Sequence, residues 1–177
     1  MGWTYLNKDK HISAGKYIAK ELLVWNNPDA KYTVLDGGVV SFRTYYGAVE
    51  RIDLKTGERT VFAVVYLLNY AKGYYNFGYK DMTESMGPNE DSCPARILKL
   101  LTPTDNEYAT NWRNRCNSKI YSKKNKPKIT EGMNLFYNGK DYKVNEVLGR
   151  RGYMVECDGY KYRMKSSQAL SANIIRF

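Results

Sequence analysis

The longest uninterrupted apolar run in the chain is Val61–Leu68. A helix that crosses a bilayer needs about 18 or more such residues, so the sequence predicts no membrane-spanning helix. Short, and rich in valine and aromatic side chains, the run matches a buried β-strand. The surrounding segment keeps that character. Lys31–Leu35 reads as a strand, Asp36-Gly37-Gly38 as a turn, and Val39–Ile52 as a long strand with Gly47 as a bulge. Lys55-Thr56-Gly57-Glu58 reads as a hairpin loop, and Arg59–Asn69 as the most apolar strand. The expectation is a three-stranded antiparallel meander. A helix that starts at the N-cap Ser13 carries Tyr17, Ile18, Leu22 and Trp25 at helical spacing. It stops at Asn26-Asn27-Pro28-Asp29 and is available to cover one face of the meander.

Beyond the meander the pattern loosens. The stretch 72–82 interleaves aromatic residues with glycine and has no clear period, so it reads as a long recognition loop. Its candidate contact residues are Tyr74, Tyr75, Phe77, Tyr79 and Lys80. The alternative is that Tyr75, Phe77 and Tyr79 close the end of the core. Pro94 suits the first turn of a helix through Leu101. Asp105 is expected to cap a second helix from Asn106 to Tyr121, with Tyr108, Trp112, Cys116 and Ile120 on one stripe.

The last 49 residues or so change style again. Met133–Tyr137, Asp141–Leu148, Tyr153–Cys157 and Tyr160–Met164 alternate like strands, with Asn173–Phe177 available to close the sheet. Asn138-Gly139 and Asp158-Gly159 are strong hairpin signals, because type I′ turns need positive φ. The fold class expected is α+β. Residues 1–122 form an antiparallel sheet with helices, 123–128 a basic linker, and 129–177 a small SH3-like β-barrel.

Charge separates the two ends. Residues 1–117 carry 15 Lys and Arg against 13 Asp and Glu, whereas residues 118–177 carry 13 against 5. A concentrated positive surface attracts polyanions, nucleic acids first among them. No basic amphipathic helix accompanies the charge, so a membrane surface is not the expected partner. The candidate phosphate contacts are Lys119, Lys123, Lys124, Lys126, Lys128, Arg150, Arg151, Lys161 and Arg163. Tyr160 and Tyr162 are candidates for base stacking. The plainer reading is a solvated face with ordinary strand tyrosines.

Chemistry-bearing motifs are few. The three cysteines, Cys93, Cys116 and Cys157, are widely spaced, and there is a single histidine, His11. No zinc site, other metal or cofactor is expected, and the cysteines read as reduced thiols of a cytoplasmic protein in a bacterial host cell. His11 reads as a surface or cap residue. Asp81, Glu84, Glu90, Asp91, Asp105 and Glu107 would have to converge to hold a magnesium ion for a nuclease. Sequence proximity alone does not bring them together, so the expectation is a protein that is not an enzyme.

The stretch Tyr74–Pro88, the stretch Cys93–Thr104 and the start Met1-Gly2-Trp3-Thr4-Tyr5 together form a signature. Across roughly residues 1–120 it resembles a family of small proteins carried by phages, plasmids and conjugative elements of Firmicutes and gut bacteria. The C-terminal barrel looks like an appended module. The resemblance implies a context, not a reaction: accessory proteins of mobile elements often interfere with host defence, and some resemble inhibitors of type II CRISPR nucleases. For a basic chain the implied partner is guide RNA or DNA together with the effector nuclease. A DNA-binding accessory or regulatory protein without an effector, and a metal-dependent nuclease, are the rival expectations.

Overall fold

The computed structural model describes residues 2–7, 12–41, 43–70 and 75–175, with Tyr75 and 173–175 described as backbone only. The fold is mixed α+β and divides into two compact units, 1–122 and 123–177. Among the described residues no helix is long and apolar enough to cross a membrane. His11 and Tyr74 lie outside the described residues.

The first unit is built on a five-stranded antiparallel sheet. Its strands are β1 (Thr4–Asn7), β2 (Ala30–Ser41), β3 (Thr44–Asp53), β4 (Arg59–Asn69) and β5 (Tyr75–Thr83), in the order β1-β5-β4-β3-β2. Helices pack on both faces of its centre, which explains why β4 is apolar nearly throughout. On one face Tyr45, Val49, Val64, Tyr66, Leu68, Phe77 and Tyr79 pack with Ile18 and Leu22 of α1 (Ala14–Leu23). On the other, Tyr46, Ala48, Ala63 and Val65 pack with Cys93, with Ile97 of α2 (Ala95–Leu98), and with Trp112 and Cys116 of α3 (Glu107–Lys124). The small pair Ala48 and Ala63, directly opposite each other, makes room for the Trp112 indole. That indole packs on Tyr46 at 6.5 Å and donates its Nε1–H to the Glu90 carbonyl at 2.7 Å.

Several expectations change here. Asp36-Gly37-Gly38 is not a turn: β2 runs straight through it, with a register shift between Val34 and Asp36. Gly37 serves close packing instead, since a Cβ there would run into the Tyr45 hydroxyl. Gly47 is not a bulge but pairs regularly with Gly37 and Val64. The segment read as an aromatic loop is the inner strand β5, held between β1 and β4. Phe77 and Tyr79 point into the core beside Tyr17 and Tyr66 because a strand throws alternate side chains to one face. They are therefore core residues, not contact residues. At the start of α3 the cap is Asn106, whose Oδ1 accepts from the Ala109 N–H at 2.9 Å, rather than Asp105. Ala109, not Tyr108, completes the buried stripe, and Tyr108 is exposed.

The second unit is an antiparallel sheet of β6 (Asn134–Tyr137), β7 (Lys140–Val147), β8 (Tyr153–Cys157), β9 (Tyr160–Met164) and β10 (Asn173–Ile175). The order is β10-β6-β7-β8-β9, and no ladder joins β9 to β10 among the described residues. Asn138 and Gly139, like Asp158 and Gly159, hold positive φ at both central positions, as two-residue hairpins require. Leu135, Val144, Val155 and Met164 form its core with Ile129 and with Ala169 of the short helix α4 (Ser166–Ser171).

Candidate nucleic-acid interface

Strand register decides what β9 can present. Tyr160 faces Cys157, Tyr162 faces Val155 and Met164 faces Tyr153, so these residues share the core side of the sheet. Lys161 faces Glu156 and Arg163 faces Met154, on the opposite side. The aromatic pair and the basic pair thus point away from each other. Both remain accessible because β9 is an edge strand: Tyr160 is 70% exposed and Tyr162 48%. The Tyr162 ring meets Tyr142 edge-on at 6.4 Å. A ligand that crosses the β9 edge would meet rings on one side and cations on the other.

The turn between β7 and β8 adds to the basic side. Gly149, at φ +61°, opens a 3-10 turn through Arg151, and Gly152, at φ +101°, closes it. A Cβ on Gly152 would run into the Met164 carbonyl oxygen, so only glycine lets the turn lie against β9. Arg163 Nε donates to the Arg151 carbonyl at 3.0 Å, which anchors Arg163 beside the exposed Arg150 and Arg151. Lys143, which the sequence reading missed, lies in the same cross-strand row as Lys161 with Glu156 between them. Strand alternation is the signal that would have found it. The Glu156 carboxylate accepts from Asn145 Nδ2 at 2.9 Å.

The connector lysines divide. Lys123 and Lys124 form the last turn of α3, where cations complement the helix dipole. Lys126 and Lys128 follow it and are exposed. Lys119 does not join them: it lies in the first unit and its ammonium is paired with Asp91. The Lys119 contact holds the Asp91 carboxyl below its ordinary range. Among the described residues of the second unit one ion pair forms, Lys140 to Asp158 at 3.5 Å. Its other described cations have no described carboxylate within ion-pair reach.

The acids considered for a metal site are spread out. Glu84, 3% exposed, is held by Arg113 through two bonds of 2.7 and 2.6 Å, and also accepts from the Ala63 N–H. Asp91 is engaged with Lys119, while Asp81, Asp105 and Glu107 are exposed. Among the described residues no three His, Cys, Asp or Glu side chains are grouped to hold an ion. Burial pushes both core thiols up, Cys116 to about 11 and Cys93 further, so both are protonated at neutral pH. No family model, curated protein or solved structure matches the chain.

Proposed function

We propose that this is a non-enzymatic protein of a mobile genetic element that binds nucleic acid, or a complex of nucleic acid and protein, through its C-terminal unit. One observation carries the reading. Residues 123–177 hold twelve Lys and Arg against five Asp and Glu, and nearly all the described cations are exposed and free of internal carboxylates. Charge that is neither neutralised nor buried is available to displace counterions from phosphates. The Arg150-Arg151 turn, Arg163, Lys161 and Lys143 supply the backbone contacts, and Tyr160 and Tyr162 the stacking surface across the β9 edge.

The finer fold reading is a partly open SH3-like barrel. It is supported by the strand order, with the last strand beside the first of the unit, and by the short helix α4 just before β10. The biological use follows from the resemblance of residues 1–120 to mobile-element proteins: counter-defence in the bacterial cytoplasm, by blocking an RNA-guided CRISPR nuclease. Such an inhibitor gains affinity from guide RNA or target DNA exposed on the effector. The test is to mix the purified chain with a type II effector, with and without guide RNA, and to measure complex formation and target cleavage. The reading expects a complex that forms with the guide-loaded effector and slows cleavage. Unchanged cleavage at saturating protein would favour the simpler DNA-binding accessory role.

A further inference from the structure

In the first unit, among the described residues, α2 and α3 pack on part of their face of the sheet, and Trp3 and Tyr5 are exposed on the remainder. Register places Tyr5 opposite Gly78, and Gly78 opposite Asn69. The next row holds Lys80, Leu67 and Thr44, and Trp3 lies one residue beyond the Thr4–Tyr79 pair. Leu6, Phe77 and Tyr79 face the α1 side, so alternation sends Tyr5, Gly78 and Lys80 to the other.

This half-face is shaped for rings. Trp3 is 41% exposed and Tyr5 44%. A Cβ on Gly78 would lie 2.8 Å from two carbons of the Tyr5 ring, so that ring packs directly on the β5 backbone. Glycine inside a strand weakens it, and here it marks the close approach of an aromatic side chain. Trp3 also lines a cleft of about 520 Å³ with Arg43, Thr44, Leu67, Asn69 and Glu90. That volume lies within the roughly 300–1,000 Å³ of ordinary small-ligand sites.

We propose that this half-face binds single-stranded nucleic acid, with bases stacked on Trp3 and Tyr5 and phosphates met by Arg43 and Lys80. The inference deepens the nucleic-acid reading above and uses residues that reading does not. Exposed rings need free base faces, which a duplex hides in its own stack and a single strand offers. The apolar surface is broken up by Arg43, Lys80 and Asn69, which suits bases linked by phosphates better than an apolar protein surface. Glu90 offsets part of the positive charge. Stacking therefore supplies most of the affinity. Two cations correspond to a salt slope of only about 1.4 for a single strand.

Tryptophan emission of the full chain tests this. Trp112 is buried and Trp25 half-buried, so a base stacked on the exposed Trp3 quenches the accessible indole. The chain is titrated with an oligothymidylate, an oligouridylate of equal length and a duplex. Single strands are expected to quench saturably with shallow salt dependence, and the stronger of the two identifies DNA or RNA as the source. Trp3→Ala and Tyr5→Ala should each weaken binding roughly 5- to 150-fold. Trp3→Phe should keep the affinity, read by a labelled strand, and lose the quench. Wild-type affinity in both alanine variants, or equal quenching by the duplex, overturns the inference. Arg150→Ala/Arg151→Ala separates the two readings. Single-strand binding whose affinity and salt slope are unchanged in that variant, with no duplex binding in the wild type, sinks only the C-terminal site. Duplex binding that needs the two arginines, with alanine variants of the sheet face unaffected, sinks only the sheet-face site.

Discussion

Arg113→Ala is the sharpest test of what holds the first unit together. The guanidinium gives Glu84 two bonds of 2.7 and 2.6 Å, and its Nη1 donates to the Thr102 carbonyl at 2.7 Å. Thr102 in turn is tied to β4, through its hydroxyl to the Val61 N–H at 2.6 Å. One side chain therefore links α3, the end of β5 and the segment after α2. Truncation leaves a carboxylate with 4% side-chain exposure and, among the described residues, only the Ala63 N–H at 3.2 Å as partner. Removing one partner of a buried ion pair costs about 3–5 kcal/mol. For a unit of this size that is a fall in Tm of roughly 10–25 °C. All three tryptophans, Trp3, Trp25 and Trp112, lie in residues 1–122, so their emission follows this unit alone. Urea unfolding read by that emission measures the loss. A double-mutant cycle with Glu84→Gln should return a coupling of roughly 2 kcal/mol or more. A loss below about 1 kcal/mol in Arg113→Ala, the level of an exposed pair, would refute the reasoning.

Two further outcomes follow from local geometry. Gly152→Ala places a Cβ against the Met164 carbonyl at a positive φ, so it should destabilise the second unit by roughly 2–3 kcal/mol and leave the tryptophan transition unchanged. Circular dichroism of the full chain checks this, and wild-type unfolding of the second unit would contradict it. The Asp91 carboxyl, depressed first of all by its bond to Lys119, contributes stability that is complete above the unfolded carboxylate pKa of about 3.9 and fades as the pH falls through its lower folded value. In Lys119→Met its titration, followed by carboxyl NMR, should move up toward the free value; an unmoved titration would show that the contact does not exist in solution.

What could be read from the sequence was whatever its chemistry specifies locally. Asn138-Gly139 and Asp158-Gly159 demand positive φ wherever they occur, and both are hairpin turns in the structure. Ser13 accepts from the Lys16 N–H, as an N-cap should, and β4 spans Arg59–Asn69 as its apolar content required. The misreadings came from glycines and from partners far away in sequence. Gly37 and Gly78 look like turn or loop signals, but each admits a tyrosine ring, Tyr45 or Tyr5, whose position only the sheet register defines. The strand β1 is too short to signal itself and owes its place to pairing with β5, more than 60 residues on. The same limit applies to the interface. The clustering of Arg150, Arg151, Lys161 and Arg163 was visible as composition. The separation of the basic and aromatic residues of β9 onto two faces needed Cys157, Val155 and Tyr153 as reference points. Lys143 joined the row only through β8.

The central claim is that unneutralised charge on the C-terminal unit makes a phosphate-binding surface. The most direct measurement is the affinity of the full chain for labelled duplex DNA, single strands and RNA across a salt series, with Arg150→Ala/Arg151→Ala beside the wild type. The account predicts a steep fall of affinity with salt for the wild type. On duplex DNA the slope of the double variant should be smaller by about 1.8, the share of two lost phosphate contacts. No binding near physiological salt, or an identical slope in the variant, would contradict it.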